Sequence, residues 1–387
     1  MRISRIAPVV GLIAALALSA CQDSGLAHRS LAPIPSETVA LMNDVGVTKE
    51  APILIRAYKK EAELEIWKMR SDGSYVYLKT FPMCRWSGQL GPKRRQGDRQ
   101  VPEGFYSIGP AQMNPNSAYY LSFNVGYPNA LDRALGNTGG DIMVHGACSS
   151  AGCFSMSDKQ IAEIYAIARS SLEGGQRAIQ MQSFPFKMTA ENLAKHRLDP
   201  NIDFWRQLKE GSDHFEVTLK EPQVAFCGRR YVFNAEGAGK LDPNVACPPL
   251  KRDPHIAAAV AEKASKDEAK VAELAQSVKP VRVVYQDGGQ NPYFASRMAE
   301  VSRPETILPP TEIALEEKTS RSASKLAAKS PVVTMAAAPT ADDRREMSAL
   351  AAVDTTPTNT AKKWLHIKLG KFAPAAATPD GRSAAAQ

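Results

Sequence analysis

The chain has 387 residues, with 48 Lys and Arg against 40 Asp and Glu, for a formal charge of +8. The length allows two domains, and the positive balance suits an anionic setting. No nucleic-acid-binding motif accompanies the charge, and past residue 20 no apolar run is long enough to span a bilayer.

Arg2 and Arg5 precede an apolar run over residues 6–18, so residues 1–20 read as a targeting segment outside the fold. Leu18-Ser19-Ala20-Cys21 resembles the cleavage box of bacterial lipoproteins, with Cys21 the lipidated residue; an ordinary signal peptide cut nearby is the alternative. Each buried acyl methylene contributes ~0.8 kcal/mol, so a multiply acylated Cys21 would anchor stably to a membrane. Gln22, in the place of an aspartate, points to the outer membrane. Residues 21–50 are polar, carry Pro33 and Pro35, and read as a tether ending in a short helix over 37–44.

Residues 51–250 hold the patterned part of the chain. Runs at 52–58, 62–69 and 74–81 alternate as strands do, with Leu64, Ile66 and Val76 on buried faces and Asp72-Gly73 as a hairpin turn. Further strands are expected over 104–109, 119–125 and 141–145. The last of these opens Asp141-Ile142-Met143-Val144-His145-Gly146-Ala147-Cys148-Ser149-Ser150-Ala151-Gly152-Cys153-Phe154-Ser155-Met156. A cysteine acting as a nucleophile needs an imidazole to take its proton. It also needs backbone N–H groups that a substrate can approach, which small residues such as Gly152 allow. Two plainer readings stand beside this one. His145 and Cys153 are a strand-end histidine and a buried small residue, or they form a metal site with Cys148, although zinc takes about four ligands and no second Cys/His pair lies near.

Ser157-Asp158-Lys159-Gln160 looks like a capping box. It opens a helix through Ile161, Ile164, Tyr165, Ile167 and Ala168, closed by Gly174-Gly175. Its positive end, just past Cys153, would favour a thiolate. A strand at 177–186, short helices at 189–195 and 201–209, and strands at 224–226 and 231–233 returning to the sheet complete the domain. The fold class is α+β, β-rich, with one main helix after Cys153. His196, His214 and His255 have no motif around them and read as structural or exposed.

Setting aside Cys21 and Cys153, four cysteines remain. Cys84, Cys148, Cys227 and Cys247 allow three pairings in an oxidising compartment. Cys227–Cys247 spans the shortest segment and would leave Cys84–Cys148 to clamp the loop before Cys153; all four reduced is equally open. Residues 251–278 are rich in Ala, Lys and Glu and read as a solvated helix. Residues 279–387 are low in aromatics and read as a disordered tail whose removal leaves the domain working. The basic island at 362–369, around Trp364, suits contact with glycan, membrane or a partner, or has no function.

His145-Gly146, Ser149, Gly152-Cys153 and Met156 together resemble the active-site motif of the L,D-transpeptidase (YkuD-type) family, and more closely its short-spacing, murein L,D-transpeptidase-like branch. Leu90-Gly91-Pro92-Lys93, the run from Gly97 to Tyr106, Asn124-Val125-Gly126-Tyr127-Pro128-Asn129 and Asp132-Arg133 match the same branch, so the resemblance covers residues 52–235. It departs from the commoner branch twice: Ala151 replaces a histidine two before the cysteine, and Ser155 an arginine two after it. The resemblance implies a YkuD-like fold and a lipid-anchored periplasmic enzyme acting on peptidoglycan stem peptides. In it Cys153 is the nucleophile and His145 the proton donor and acceptor. Gly152 and Cys153 N–H groups form the oxyanion site, and Gly146 and Ser149 support the loop. No metal or organic cofactor is required. Arginine binds carboxylate bidentately, which makes Arg99 a candidate for stem-peptide carboxylates, with a solvated Lys93–Arg99 loop as the alternative. Tyr119, Tyr120 and Tyr127 line a cleft or pack in the core. The implied acceptor is an amine, in wall cross-linking or lipoprotein attachment. A hydrolase releasing wall-attached lipoprotein and a catalytically silent wall-binding module are the other readings.

Overall fold

The computed structural model describes residues 29–301 and 307–316. The targeting segment, Cys21 and the Trp364 island lie outside the described residues. Among those described, no helix is long and apolar enough to cross a membrane.

Helix α1 (Ser36–Asp44) precedes strands β1 (Ile53–Tyr58), β2 (Glu63–Met69), β3 (Tyr75–Pro82), β4 (Gly104–Ile108), β5 (Met113–Asn114) and β6 (Ser122–Asn124). Helix α2 (Ala130–Ala134), β7 (Met143–His145), β8 (Phe154–Ser155), α3 (Asp158–Glu173), β9 (Ile179–Phe184), α4 (Ala190–Lys195) and α5 (Ile202–Thr218) follow. The main sheet has the order β3-β2-β1-β9-β4 and is antiparallel except for β1 beside β9. Every residue of β1 and β9 is buried, as expected of strands covered on both faces. The turn between β2 and β3 is the expected one: Gly73 has φ +81°, and Asp72 accepts from Ser74 N at 2.8 Å.

A second sheet, β5-β6-β7-β8, carries the candidate site. Behind it lies α3, which begins where expected. Ser157 Oγ accepts from Gln160 N and Gln160 Oε1 from Ser157 N, and Ile161, Ile164, Ile167 and Ala168 are buried. At its end Gly174 is required, since a Cβ there would stand 2.5 Å from Glu50 O.

Four expectations need correction. The helix expected over 201–209 runs on to Thr218, because Gly211 does not stop it but lets it press on the sheet. A Cβ at Gly211 would come within 2.3 Å of Phe105 and 2.5 Å of Phe233. Strands β10 (Val224–Cys227) and β11 (Arg230–Phe233) form a separate hairpin instead of rejoining the main sheet. Helix α6 (Pro254–Ala275) is not simply solvated: Lys209 meets Asp213 at 2.5 Å and Asp267 at 2.6 Å, while Lys263 reaches Asp213, Glu216 and Asp267. Part of the expected tether is also docked, with Arg169 donating to Ser30 O and Ala32 O, and Met42 buried.

The tail boundary moves as well. Strand β12 (Val281–Val284) pairs with β13 (Thr311–Ala314), and Val281, Val283 and Tyr285 join the main core. Phe294 and Val301 pack on the Cys84–Cys148 disulfide. Low aromatic content hid this segment because a few well-spaced apolar residues suffice to dock it. Residues 317–387 lie outside the described residues.

A Gly211→Ala variant should lose about 1–3 kcal/mol through overpacking, seen as a lower midpoint in urea with the slope unchanged. A chain ending at residue 278 should be destabilised by several kcal/mol in the same assay, since each large buried apolar side chain contributes roughly 1.5–3 kcal/mol. An unchanged midpoint there would restore the original tail boundary.

Candidate active site

Strands β7 and β8 pair in parallel, with Val144 opposite Phe154 and His145 opposite Ser155. Residues 146–153 close the space between them. This return forces Ala147 (φ 62°), Cys148 (φ 31°) and Gly152 (φ 132°) into the left-handed region, which side chains other than glycine's rarely occupy. The pairing sets Cys153 just before β8, level with the start of β7, where Met143 N–H points at Cys153 Sγ at 3.4 Å. The sulfur also lies 3.8 Å from Asp141 O.

Of the arrangements left open for the four cysteines, the structure has Cys84–Cys148 and Cys227–Cys247, and among the described residues Cys153 is the cysteine outside a disulfide. The bridge takes Cys148 away from any metal site with His145 and Cys153. It also removes disulfide capture as a reason for Cys153 to be silent.

His145 is buried at the end of β7. Its Nδ1 lies 2.5 Å from Gly146 O. A carbonyl only accepts, so Nδ1 carries the proton and the neutral ring has Nε2 as its basic nitrogen. The Tyr119 ring stands 4.7 Å from the imidazole, a place in the site rather than in the core for this exposed tyrosine. Tyr127 is buried, its hydroxyl on Lys93 O and Thr138 O.

Burial pushes the Cys153 thiol above its ordinary value; the Met143 N–H and Lys93 oppose this, and Asp141 adds to it. The α3 terminus, expected to favour a thiolate, begins at Asp158. That terminus serves the other end of the loop, where Asp158 Oδ1 accepts from Ala147 N at 2.7 Å. Gly146 makes room for this contact, since a Cβ there would stand 2.7 Å from the same oxygen.

Serine side chains hold the rest of the loop. Ser155, fully buried, accepts from Ser149 N at 3.0 Å. Ser150 Oγ accepts from Gly152 N (3.3 Å) and Cys153 N (3.1 Å) and donates to Cys153 O (2.7 Å). The two N–H groups expected to form an oxyanion site are thus engaged by Ser150 in this state. Sequence reasoning missed Ser150, since nothing distinguishes it from Ser149 beside it.

The loop preceding β4 flanks this arrangement and hangs on a buried ion pair. Lys59, fully buried, donates to Glu103 (2.9 Å), Gly91 O and Val101 O, and Glu103 accepts in turn from Gly91 N and from Trp205 Nε1 (2.8 Å). Lys93, expected in a basic patch, is instead buried and paired with Asp98 at 2.5 Å. Arg99 (φ 54°) pairs with Asp287 at 2.5 Å and donates to Ser150 O at 3.2 Å, so a substrate carboxylate would have to compete for it. His196 and His214 are buried, which holds both down to about 4, and His255 is exposed, as expected of histidines outside the site.

This β-rich α+β domain sets a tautomer-fixed histidine at the end of one strand and a reduced cysteine just before the parallel strand beside it. The L,D-transpeptidase catalytic domain of the YkuD type matches residues 61–176, which include both. The protein named "Putative L,D-transpeptidase YafK" of Escherichia coli (strain K12) is 39% identical over 224 residues, covering 58% of this chain and 89% of YafK. The helical cell shape determining protein Pgp2 of Campylobacter jejuni is similar at 16% identity over 64% of this chain and 80% of its own, with a TM-score of 0.29. Bd1075 of Bdellovibrio bacteriovorus is similar at 20% over 36% and 50%, with a TM-score of 0.26. The extent of the YafK match establishes that the chain belongs to the L,D-transpeptidase family, whose members act on peptidoglycan stem peptides.

Because burial raises the thiol, the rate of Cys153 alkylation by iodoacetamide in the free protein should keep rising with pH beyond 9, its ordinary value. A plateau near neutrality would mean a stable thiolate–imidazolium pair.

Proposed function

We propose that this protein is a cysteine acyltransferase of the cell wall, exported to the periplasm and held at the outer membrane by lipid on Cys21. The observation that carries the reading is the reduced Cys153 on the Met143 N–H, one short parallel ladder away from a histidine whose tautomer leaves Nε2 basic.

In this reading His145 takes the thiol proton as Cys153 Sγ bonds to the carbonyl carbon at the L-centre of diaminopimelate in a stem peptide. The bond to the terminal D-alanine breaks, and its amine leaves with the proton from His145. The resulting thioester passes to an amine, whose proton returns through His145 to the sulfur. General acid–base help of this kind contributes roughly 10²–10⁴-fold. For the Gly152 and Cys153 amides to receive the tetrahedral oxygen, the Ser150 hydroxyl has to turn aside. A neutral resting thiol suits a base that acts only once substrate is in place.

One observation favours a second outcome at the same site, with water as acceptor. Ser155, in the place of the commoner branch's arginine, is fully buried and turned to Ser149 N, while Ala151 is exposed in the place of its second histidine. Two polar groups that could serve a peptide acceptor are thereby missing. Hydrolysis would then trim stem peptides or free a wall-attached lipoprotein.

Mass spectrometry of disaccharide tetrapeptide incubated with the protein, beside Cys153→Ala and His145→Ala, separates these outcomes. Loss of D-alanine with 3→3 dimers is the expected result. Loss without dimers assigns hydrolysis, and release of peptide from lipoprotein-linked muropeptide would name its substrate. The acyltransferase reading falls if the wild type matches Cys153→Ala on both substrates, and the silent wall-binding module then takes its place. In His145→Ala turnover should fall by roughly 10²-fold or more.

A further inference from the structure

Residues 285–291 run along residues 83–89, on the chain that leads into the Arg99 loop. Tyr285 exchanges two hydrogen bonds with the Gln89 side chain, at 2.9 and 2.5 Å. Trp86 and Gly289 exchange backbone hydrogen bonds at 3.0 Å each, Gln290 Nε2 donates to Cys84 O at 3.0 Å, and Asn291 N donates to Met83 O at 3.0 Å. Only glycine fits at the crossing, because a Cβ at Gly288 would stand 1.8 Å from Trp86 O. The segment is therefore seated in one register, and that register delivers the Asp287 carboxylate to a fixed place.

There it meets two guanidinium groups. Arg85 donates to Asp287 O at 2.6 Å and Oδ2 at 3.2 Å, and Arg99 donates to Oδ2 at 2.5 Å. Arg99 carries the link onward, with Nη2 also on Ser150 O at 3.2 Å and its backbone beside Gly152, where a Cβ would come within 3.8 Å of Arg99 C. Ser150 in turn holds the Gly152 and Cys153 amides and the Cys153 carbonyl. Without Asp287 a long, half-exposed arginine has many rotamers to choose from. With it, a charge-assisted bond of fixed geometry holds one of them.

We infer that Asp287 is a positioning residue for Cys153, acting through Arg99 and the Ser150 carbonyl to fix the loop that presents the nucleophile and its two neighbouring amides. Residue 287 lies well beyond the matched catalytic domain at 61–176, so this chain completes its site with a segment from outside that domain. The turnover part of the test rests on the function proposed above; the exchange part does not.

The test compares Asp287→Ala, Asp287→Asn, Arg99→Ala and the Asp287→Ala/Arg99→Ala double variant in the full chain. A misplaced reacting group costs up to about a hundredfold, and a loosened loop should lower kcat about tenfold in Asp287→Ala, with KM little changed. Asp287→Asn, which still accepts from the guanidinium, should retain most of the activity. Residues acting through one link are non-additive, so the double variant should be no worse than either single one. Because a partly exposed ion pair adds little to global stability, thermal midpoints should stay put, while amide deuterium uptake over residues 148–155 rises in Asp287→Ala. Should that variant not fold, Arg99→Ala reads the same link from its exposed end. Unchanged uptake overturns the inference, as do losses that multiply in the double variant. So does a KM that rises in Arg99→Ala and falls in Asp287→Ala, which would make Arg99 a substrate-carboxylate binder masked by Asp287. Uptake that rises while even the wild type turns over no muropeptide upholds the inference and removes the proposed function instead.

Discussion

The short parallel ladder between Met143–His145 and Phe154–Ser155 is the constraint on which the site depends. Parallel strands are usually joined by about a dozen or more residues, often through a helix. Here residues 146–153 make the return alone, and the loop is too tight to satisfy its own backbone by regular pairing. Gly146 and Cys148 N–H groups reach backbone carbonyls, while four others go to side chains: Ala147 to Asp158, Ser149 to Ser155, Gly152 and Cys153 to Ser150. The disulfide at Cys148 fixes the same loop covalently to Cys84, whose own N–H is bonded to Ser155 O. Sulfur and imidazole are thus placed by one backbone feature, and the surrounding polar side chains exist to make that feature tolerable.

What could be read from the chain follows from the range of each interaction. Helix α3 was legible end to end, because its capping box, its apolar spacing and its closing glycines are local and lie in sequence order. Cys153 and His145 were legible because the return between them is short and their chemistry is uncommon. The helix expected over 201–209 came out short for a physical reason: glycine inside a helix signals either a stop or a close contact, and at Gly211 only the rings of Phe105 and Phe233 decide between them. Lys93 misled likewise, since three basic residues in a row suggest solvent until Asp98 and Tyr127 are seen to enclose the first. Ser150 and Asp287 carried no signal at all, for their partners lie in the loop's own fold or far along the chain.

Buried charge supports the neighbouring wall of the site. Lys59 and Glu103 are both fully removed from solvent, an arrangement stable only where further hydrogen bonds satisfy both ions. Gly91, Val101 and Trp205 supply them, so that breaking either ion would strand the other. The run from Gly91 to Val101, which ends beside Gly152, is therefore held from within by Lys59 and from outside by Asp287. A loop pinned at both levels can carry a residue such as Arg99 in a left-handed conformation without relaxing out of it.

The burial that raises the Cys153 thiol fits this rigidity. Two disulfides suit the exported location proposed above, and one of them joins a cysteine only five residues upstream of the thiol. Thiolates, not thiols, attack disulfides, so in the role proposed for Cys153 a thiol ionised at rest would threaten the clamp beside it. Burial that raises the thiol removes this risk, at the cost of requiring a base at the moment of reaction. A histidine with its Nδ1 proton on Gly146 O is suited to be that base in the proposed role, because this tautomer makes its other nitrogen the basic one. Disulfide, buried thiol and oriented imidazole are in this reading three parts of one arrangement, built on the same short ladder.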